Sequence, residues 1–138
     1  MLPRTFIVGL FLALAAPLSA QEVLAPDPEI QSTIEGQFDA FRAGDVAEAW
    51  SYASPNIRRL FRSEENFARM VEQGYPMVWN PGDVAFIDLQ RLGGALVQRV
   101  QVIDGQGNAH YLGYAMVETE AGWRINGVQV LRAPDLGV

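Results

Sequence analysis

The chain has 138 residues, no cysteine, one histidine and ten cations, all of them arginine, against sixteen acids, giving a formal net charge of −6. So acidic a balance argues against nucleic acid or an anionic membrane surface as partner, because both need a basic footprint. The missing residue types also exclude a disulfide framework, a thiol nucleophile, a lysine Schiff base and a zinc site of the His/Cys kind.

Met1 to Thr5 carries one cation, Arg4, and Phe6 to Ala16 is an unbroken apolar run. Pro17-Leu18-Ser19-Ala20 then ends in small residues ahead of polar Gln21-Glu22. This is the order of charge, core and cleavage site in a secretory signal peptide. The run is shorter than the roughly 20 apolar residues a membrane span needs. The expectation is a signal peptide over 1–20, cleaved after Ala20, and a mature chain that is periplasmic or secreted with no stable membrane insertion. Residues 21–26 are read as a flexible lead-in, 27–133 as one domain and 134–138 as a C-terminal tail.

Asp27-Pro28-Glu29 opens the first helix with an N-cap, a proline at the first helical position and an acid in the first turn. Ile30, Ile34, Phe38 and Phe41 fall on one face at helical spacing, and Gly44 ends the run. Asp45 with Glu48 starts a second helix as a capping-box-like pair, burying Ala49 and Trp50. Ser54-Pro55 starts a short helix bearing Ile57, Leu60 and Phe61, and Ser63 starts Glu64 to Gln73, with Phe67, Met70 and Val71 inward. The two prolines of Tyr75 to Gly82 predict an extended, non-helical connector anchored by Tyr75 and Trp79. Four strands follow: Val84–Arg91, Leu96–Ile103, Ala109–Thr119 and Trp123–Arg132, joined by Gly- and Asn-rich turns.

Helices followed by a meander predict an α+β domain, N-terminal helices packed on a four-stranded antiparallel sheet. The strands carry apolar residues on both faces: Ile87 and Leu89 oppose Val84 and Phe86, and Val97 and Ile103 oppose Leu96, Val100 and Val102. The second face therefore needs a cover, and a homodimer through it is the expectation, with the C-terminal tail or a ligand as alternatives.

The long capped helix, the Ala-Gly-Asp break, the short helices and the meander resemble the nuclear transport factor 2-like superfamily. That resemblance implies a curved sheet wrapping the first helix into a cone with a pocket at its open end. More closely, Ala53-Ser54-Pro55-Asn56-Ile57, Gln73-Gly74-Tyr75-Pro76-Met77-Val78-Trp79 and Trp123-Arg124-Ile125-Asn126-Gly127-Val128-Gln129 resemble a bacterial family known as domain of unknown function 4864. The likeness covers essentially the whole chain after Ala20 and implies no particular reaction.

Ketosteroid isomerase-like members of the superfamily use a carboxylate base with tyrosine or acid donors in an apolar pocket. The strand acids here are Asp88 and Glu118, and the tyrosines Tyr75, Tyr111 and Tyr114. Strict alternation places Asp88 with Val84 and Phe86, pointing inward as the candidate base; the competing reading is an ion pair with Arg99. His110 lacks an obvious sequence partner, and Ser54 and Ser63 are accounted for as caps, so a serine nucleophile is not favoured. Arg58, Arg59 and Arg62, with Arg69 nearby, are anion-binding candidates, against a reading of Arg69 as a helix-surface partner of Glu65 and Glu72. Glu64-Glu65 and the Asp104 to Asn108 turn are too poorly arranged for calcium. Trp50, Tyr75, Trp79, Tyr114 and Trp123 are the candidate pocket wall, in competition with a plain core role.

The reading that emerges is a non-catalytic exported domain that binds a small apolar ligand or a protein partner in the cell envelope, with no cofactor and no metal. The alternative is an acid–base isomerase or dehydratase using Asp88 or another buried acid with a tyrosine.

Overall fold

The computed structural model describes residues 21–133; the signal-peptide and C-terminal-tail expectations concern 1–20 and 134–138 and lie outside the described residues. The elements are β1 (Gln21–Leu24), α1 (Pro28–Arg42), α2 (Val46–Ser51), α3 (Pro55–Phe61), α4 (Glu64–Gly74), α5 (Pro76–Trp79), β2 (Val84–Leu92), β3 (Ala95–Ile103), β4 (Ala109–Thr119) and β5 (Gly122–Leu131).

The sheet is antiparallel throughout, with strands in the order β1-β2-β3-β4-β5. This overturns the expected four-stranded sheet with helices first. A fifth strand, β1, precedes the helices and pairs Gln21 with Leu92 through to Leu24 with Leu89. The segment expected to be a flexible lead-in thus supplies a sheet edge. Its sequence, Gln-Glu-Val-Leu, puts two polar residues before two apolar ones and so lacks the alternation by which a strand is recognised.

The helix starts follow local chemistry. Asp27 accepts from the backbone N–H groups of Glu29 and Ile30, Asp45 from Glu48, Ser54 from Ile57 and Ser63 from Asn66. Each satisfies an N–H that has no partner within its helix. Gly44 takes φ +70 just past α1, a conformation open to glycine at little strain. The predicted extended connector is corrected at α5: Pro76 occupies its first turn, where a missing N–H leaves no bond unmade.

The core lies between α1 and one sheet face. Ile30, Ile34 and Phe38 of α1 meet Val100, Val102, Leu112, Tyr114, Met116 and Ile125, all nearly or fully buried. Two irregularities of the ladder decide which other side chains share that face. One lies between Phe86 and Asp88, leaving Ile87 unpaired; the other lies between Ala115 and Met116, leaving Asn126 unpaired. Each inserts one residue on one strand and shifts the alternation beyond it. Among the described residues no helix is long and apolar enough to cross a membrane.

Candidate functional site

An apolar cavity of about 200 Å³ opens between α1, α3, α4, α5 and β5. Phe41 and Gln37 form its α1 side, Ile57, Leu60 and Phe61 come from α3, and Phe67, Met70 and Val71 from α4. Ala53, Tyr75, Val78, Ile125, Gly127 and Val128 complete it. Helix α3 has no buried residue, and Leu60 is 67% exposed, although the helix carries three apolar side chains at helical spacing. All three line the cavity, and Ile57 and Phe61 also pack, partly buried, against the core.

Two polar side chains enter this lining, and both are already oriented. The Tyr75 hydroxyl donates to the Val128 carbonyl at 3.1 Å, tying the start of α5 to β5. Gln37, nearly buried, donates from Nε2 to the Ala49 carbonyl at 3.1 Å, tying α1 to α2. A phenol and an amide held in this way can orient a guest without reorganising.

The wall is fixed to the sheet by the connector ahead of α3. Ala53 bridges to Ile125 in parallel, and the Ser54 N–H donates to the Ile125 carbonyl at 2.8 Å. The Ser54 hydroxyl donates to Asn126 Oδ1 at 2.7 Å, and Asn56 Nδ2 donates to the same oxygen at 3.3 Å. Asn126 is the unpaired residue of the β5 irregularity, so the bulge turns a strand residue into the anchor of α3. The three segments that carried the family resemblance therefore meet here and contribute half of the lining.

The five aromatic candidates separate in the structure. Tyr75 lines the cavity, whereas Trp50 packs on Phe67 at 5.2 Å, Trp79 on Phe41 at 5.8 Å and Tyr114 on Phe38 at 5.8 Å. Trp123 packs against the core. From the sequence, Phe41 shares the apolar face of the first helix, Phe67 and Met70 lie on the inner face of the fourth, and Phe61 is one of the apolar residues of the third. Helical spacing identifies an inner face but does not say whether that face meets atoms or a void.

Asp88 stands on the face away from the helices. The bulge at Ile87 puts it opposite Arg99, in place of the inward position that unbroken alternation predicts. Arg99 donates from Nε and Nη2 to the two carboxylate oxygens, each at 2.8 Å, and Gln90 adds a bond at 3.2 Å. The Arg99 guanidinium holds the Asp88 carboxyl below the usual aspartate range, despite the opposing effect of burial. A carboxylate so stabilised is a poor proton acceptor, unlike a base tuned upward by an apolar pocket.

Tyr114, the inner-face phenol of β4, is fully buried, and burial pushes it well up, with Tyr75 adding to the effect. Its hydroxyl has no hydrogen-bond partner among the described residues, and the same holds for Oε1 of Gln98, its partner across the ladder. His110 Nε2 meets Asp104 Oδ2 at 2.7 Å beside the β3–β4 turn. Asp104 is lowered to about 2 by that contact and by backbone N–H groups of the turn, including Asn108 and Gln106. This pair braces a hairpin.

The arginines of α3 and α4 divide. Arg58 donates to the Ser51 carbonyl at 2.9 Å and lies 5.8 Å over the Trp50 ring, and Arg59 bonds to Asn56. Arg69 bonds to Asn66 Oδ1 at 3.0 Å, not to Glu65 or Glu72 as helical spacing predicts. Arg62 and Arg69 line an open groove with Asn66 and Gln73, and this groove shares Leu60, Phe61 and Met70 with the cavity. On the opposite sheet face a trough of about 340 Å³ runs over Gly113, Ala115 and Gly127, between Val97 and Leu131. A Cβ on Gly113 would come within 3.1 Å of Val97, so its small size sets the floor of that trough. Among the described residues, no three acids or histidines are grouped so as to hold a metal ion.

A family model described as Domain of unknown function (DUF4864) matches residues 24–138. No curated protein and no solved structure matches the chain.

Proposed function

The chain belongs to the DUF4864 family, a domain of unknown function, and from the geometry we propose that its domain binds a small apolar ligand in the cavity between α3, α4 and β5. One observation carries this reading: an apolar cavity of about 200 Å³, walled by a helix with no buried residue and furnished with a fixed phenol and a fixed amide. A dry apolar cavity of about 150 Å³ accommodates a benzene-sized guest, so the space here suits a body of roughly six to eight carbons. The polar groups in the lining orient a guest; Asp88, the acid considered for proton transfer, faces the other side of the sheet in an ion pair. Binding is therefore favoured over acid–base catalysis.

Export to the cell envelope of a bacterium is part of the same proposal, supported by the charge, core and cleavage pattern of Met1 to Ala20. Kinship with the nuclear transport factor 2-like superfamily is proposed on the run of helices that leads into β2–β5. Self-association through the outer sheet face is proposed from the apolar trough over Gly113, Ala115 and Gly127, and a monomeric mass at micromolar concentration would refute it.

The test of the ligand reading is a titration of the purified protein with 1-octanol, followed by tryptophan fluorescence, beside the cavity-filling variant Val71→Phe. Saturable binding that the variant weakens at least tenfold is the expected result. No saturable binding, or equal binding by both proteins, sinks the proposal.

A further inference from the structure

The groove beside the cavity is lined by arginines that form no ion pair with an acid among the described residues. Arg58, Arg59, Arg62 and Arg69 gather on α3, its C-cap and α4 in a chain of net charge −6, yet none of the four has an acidic partner among the described residues. Arg58 and Arg59 are directed to Ser51, Trp50 and Asn56, which leaves Arg62 and Arg69 on the groove.

Both are placed by local structure. Arg62 has φ +76, the one non-glycine residue with positive φ among those described. Such a conformation is disfavoured for a side chain with a Cβ, and residues held in it cluster at ligand sites. Its side chain makes no hydrogen bond or ion pair with the described residues. Arg69 is steadied by Asn66, whose Nδ2 donates to the Phe61 carbonyl at 2.9 Å and whose backbone N–H is bound by Ser63. Leu60, Phe61 and Met70 line both the groove and the cavity, so the two lie side by side.

We infer that the ligand is an apolar carboxylic acid, its hydrocarbon part in the cavity and its carboxylate between Arg62 and Arg69. This inference rests on the cavity reading above and adds the class of ligand. Two guanidinium forks match the two oxygens of a carboxylate, and arginine suits such planar recognition better than a point charge does.

The experiment compares octanoate with 1-octanol on the same purified protein at low ionic strength, in the wild type, in Arg69→Gln and in Arg62→Gln/Arg69→Gln. Expected is a preference for octanoate of about tenfold that shrinks in Arg69→Gln and disappears in the double variant, while octanol affinity stays the same and reports an intact fold. Added salt weakens octanoate alone. Equal binding of acid and alcohol by the wild type, or a preference that survives in the double variant, overturns the inference and leaves the cavity reading standing. Failure of both compounds to bind overturns the two together.

Discussion

Adjacent rungs of the β3–β4 ladder treat polar groups in opposite ways. At Arg99 opposite Gly113, on the outer face, a guanidinium and the Asp88 carboxylate are joined by two short parallel bonds, with side-chain exposures of 8% and 22%. At Gln98 opposite Tyr114, on the helix-covered face, the amide oxygen and the phenol hydroxyl both lack partners among the described residues. One rung is ionic and satisfied; the other is neutral and incomplete. Burial alone therefore does not say which polar group stabilises the sheet. What decides is whether the remaining donors and acceptors are met.

Arg99→Met would test that contrast most severely. It leaves a mostly buried carboxylate without its partner and should lower stability by about 2–3 kcal/mol, read as a fall in thermal midpoint on the order of 10 °C. A change below a few degrees would mean that solvent already screens the pair. Tyr114→Phe acts in the other direction. Removing an unpaired buried hydroxyl while keeping the ring against Phe38 should stabilise by about 1 kcal/mol in urea unfolding. A loss of stability would show that the hydroxyl has a partner such as an ordered water.

Acid titration sharpens the comparison on the charged side. Asp88 and Asp104 both have folded-state values below the unfolded aspartate value of about 3.9, Asp104 at about 2. A depressed acid contributes stability that is fully present above the unfolded value and is lost as pH falls through the folded one. Stability should therefore decline from about pH 4 towards pH 2, and Asp104→Asn should flatten part of that decline. An identical acid limb in the variant would refute the assignment. The smallest effect is expected at the groove: Arg62→Gln and Arg69→Gln, both exposed, should each change stability by less than about 0.5 kcal/mol. A larger loss at either position would make it a structural residue.

What the sequence revealed and what it hid follow the range of the interactions. Asp27, Asp45, Ser54 and Ser63 cap helices through contacts two or three residues away, so each was readable from its own neighbourhood. The facing of Asp88 depends on one extra residue in a ladder whose partner lies beyond the next turn, and alternation counted along β2 alone gave the wrong side. Tyr75 and Trp79 are both legible as anchors of a proline-bounded segment, but nothing local tells that Tyr75 lines the cavity while Trp79 packs on Phe41. Phe61, Phe67 and Met70 are legible only as apolar helix residues; that they enclose space is a property of how four helices and a strand meet.

The position of β1 carries a consequence for how the molecule assembles. Strands β2, β3 and β4 each pair with the strand that follows in sequence, through short turns, so these contacts close small loops and form early. β1 pairs only with β2, and every helix of the described chain lies between them. Its docking must close a loop of about 60 residues for four paired positions, which places it at the end of folding and at the low end of local stability. Amide exchange along Gln21–Leu24 should accordingly outpace that of the paired segments of the other strands. The first strand of the described chain is the one placed last.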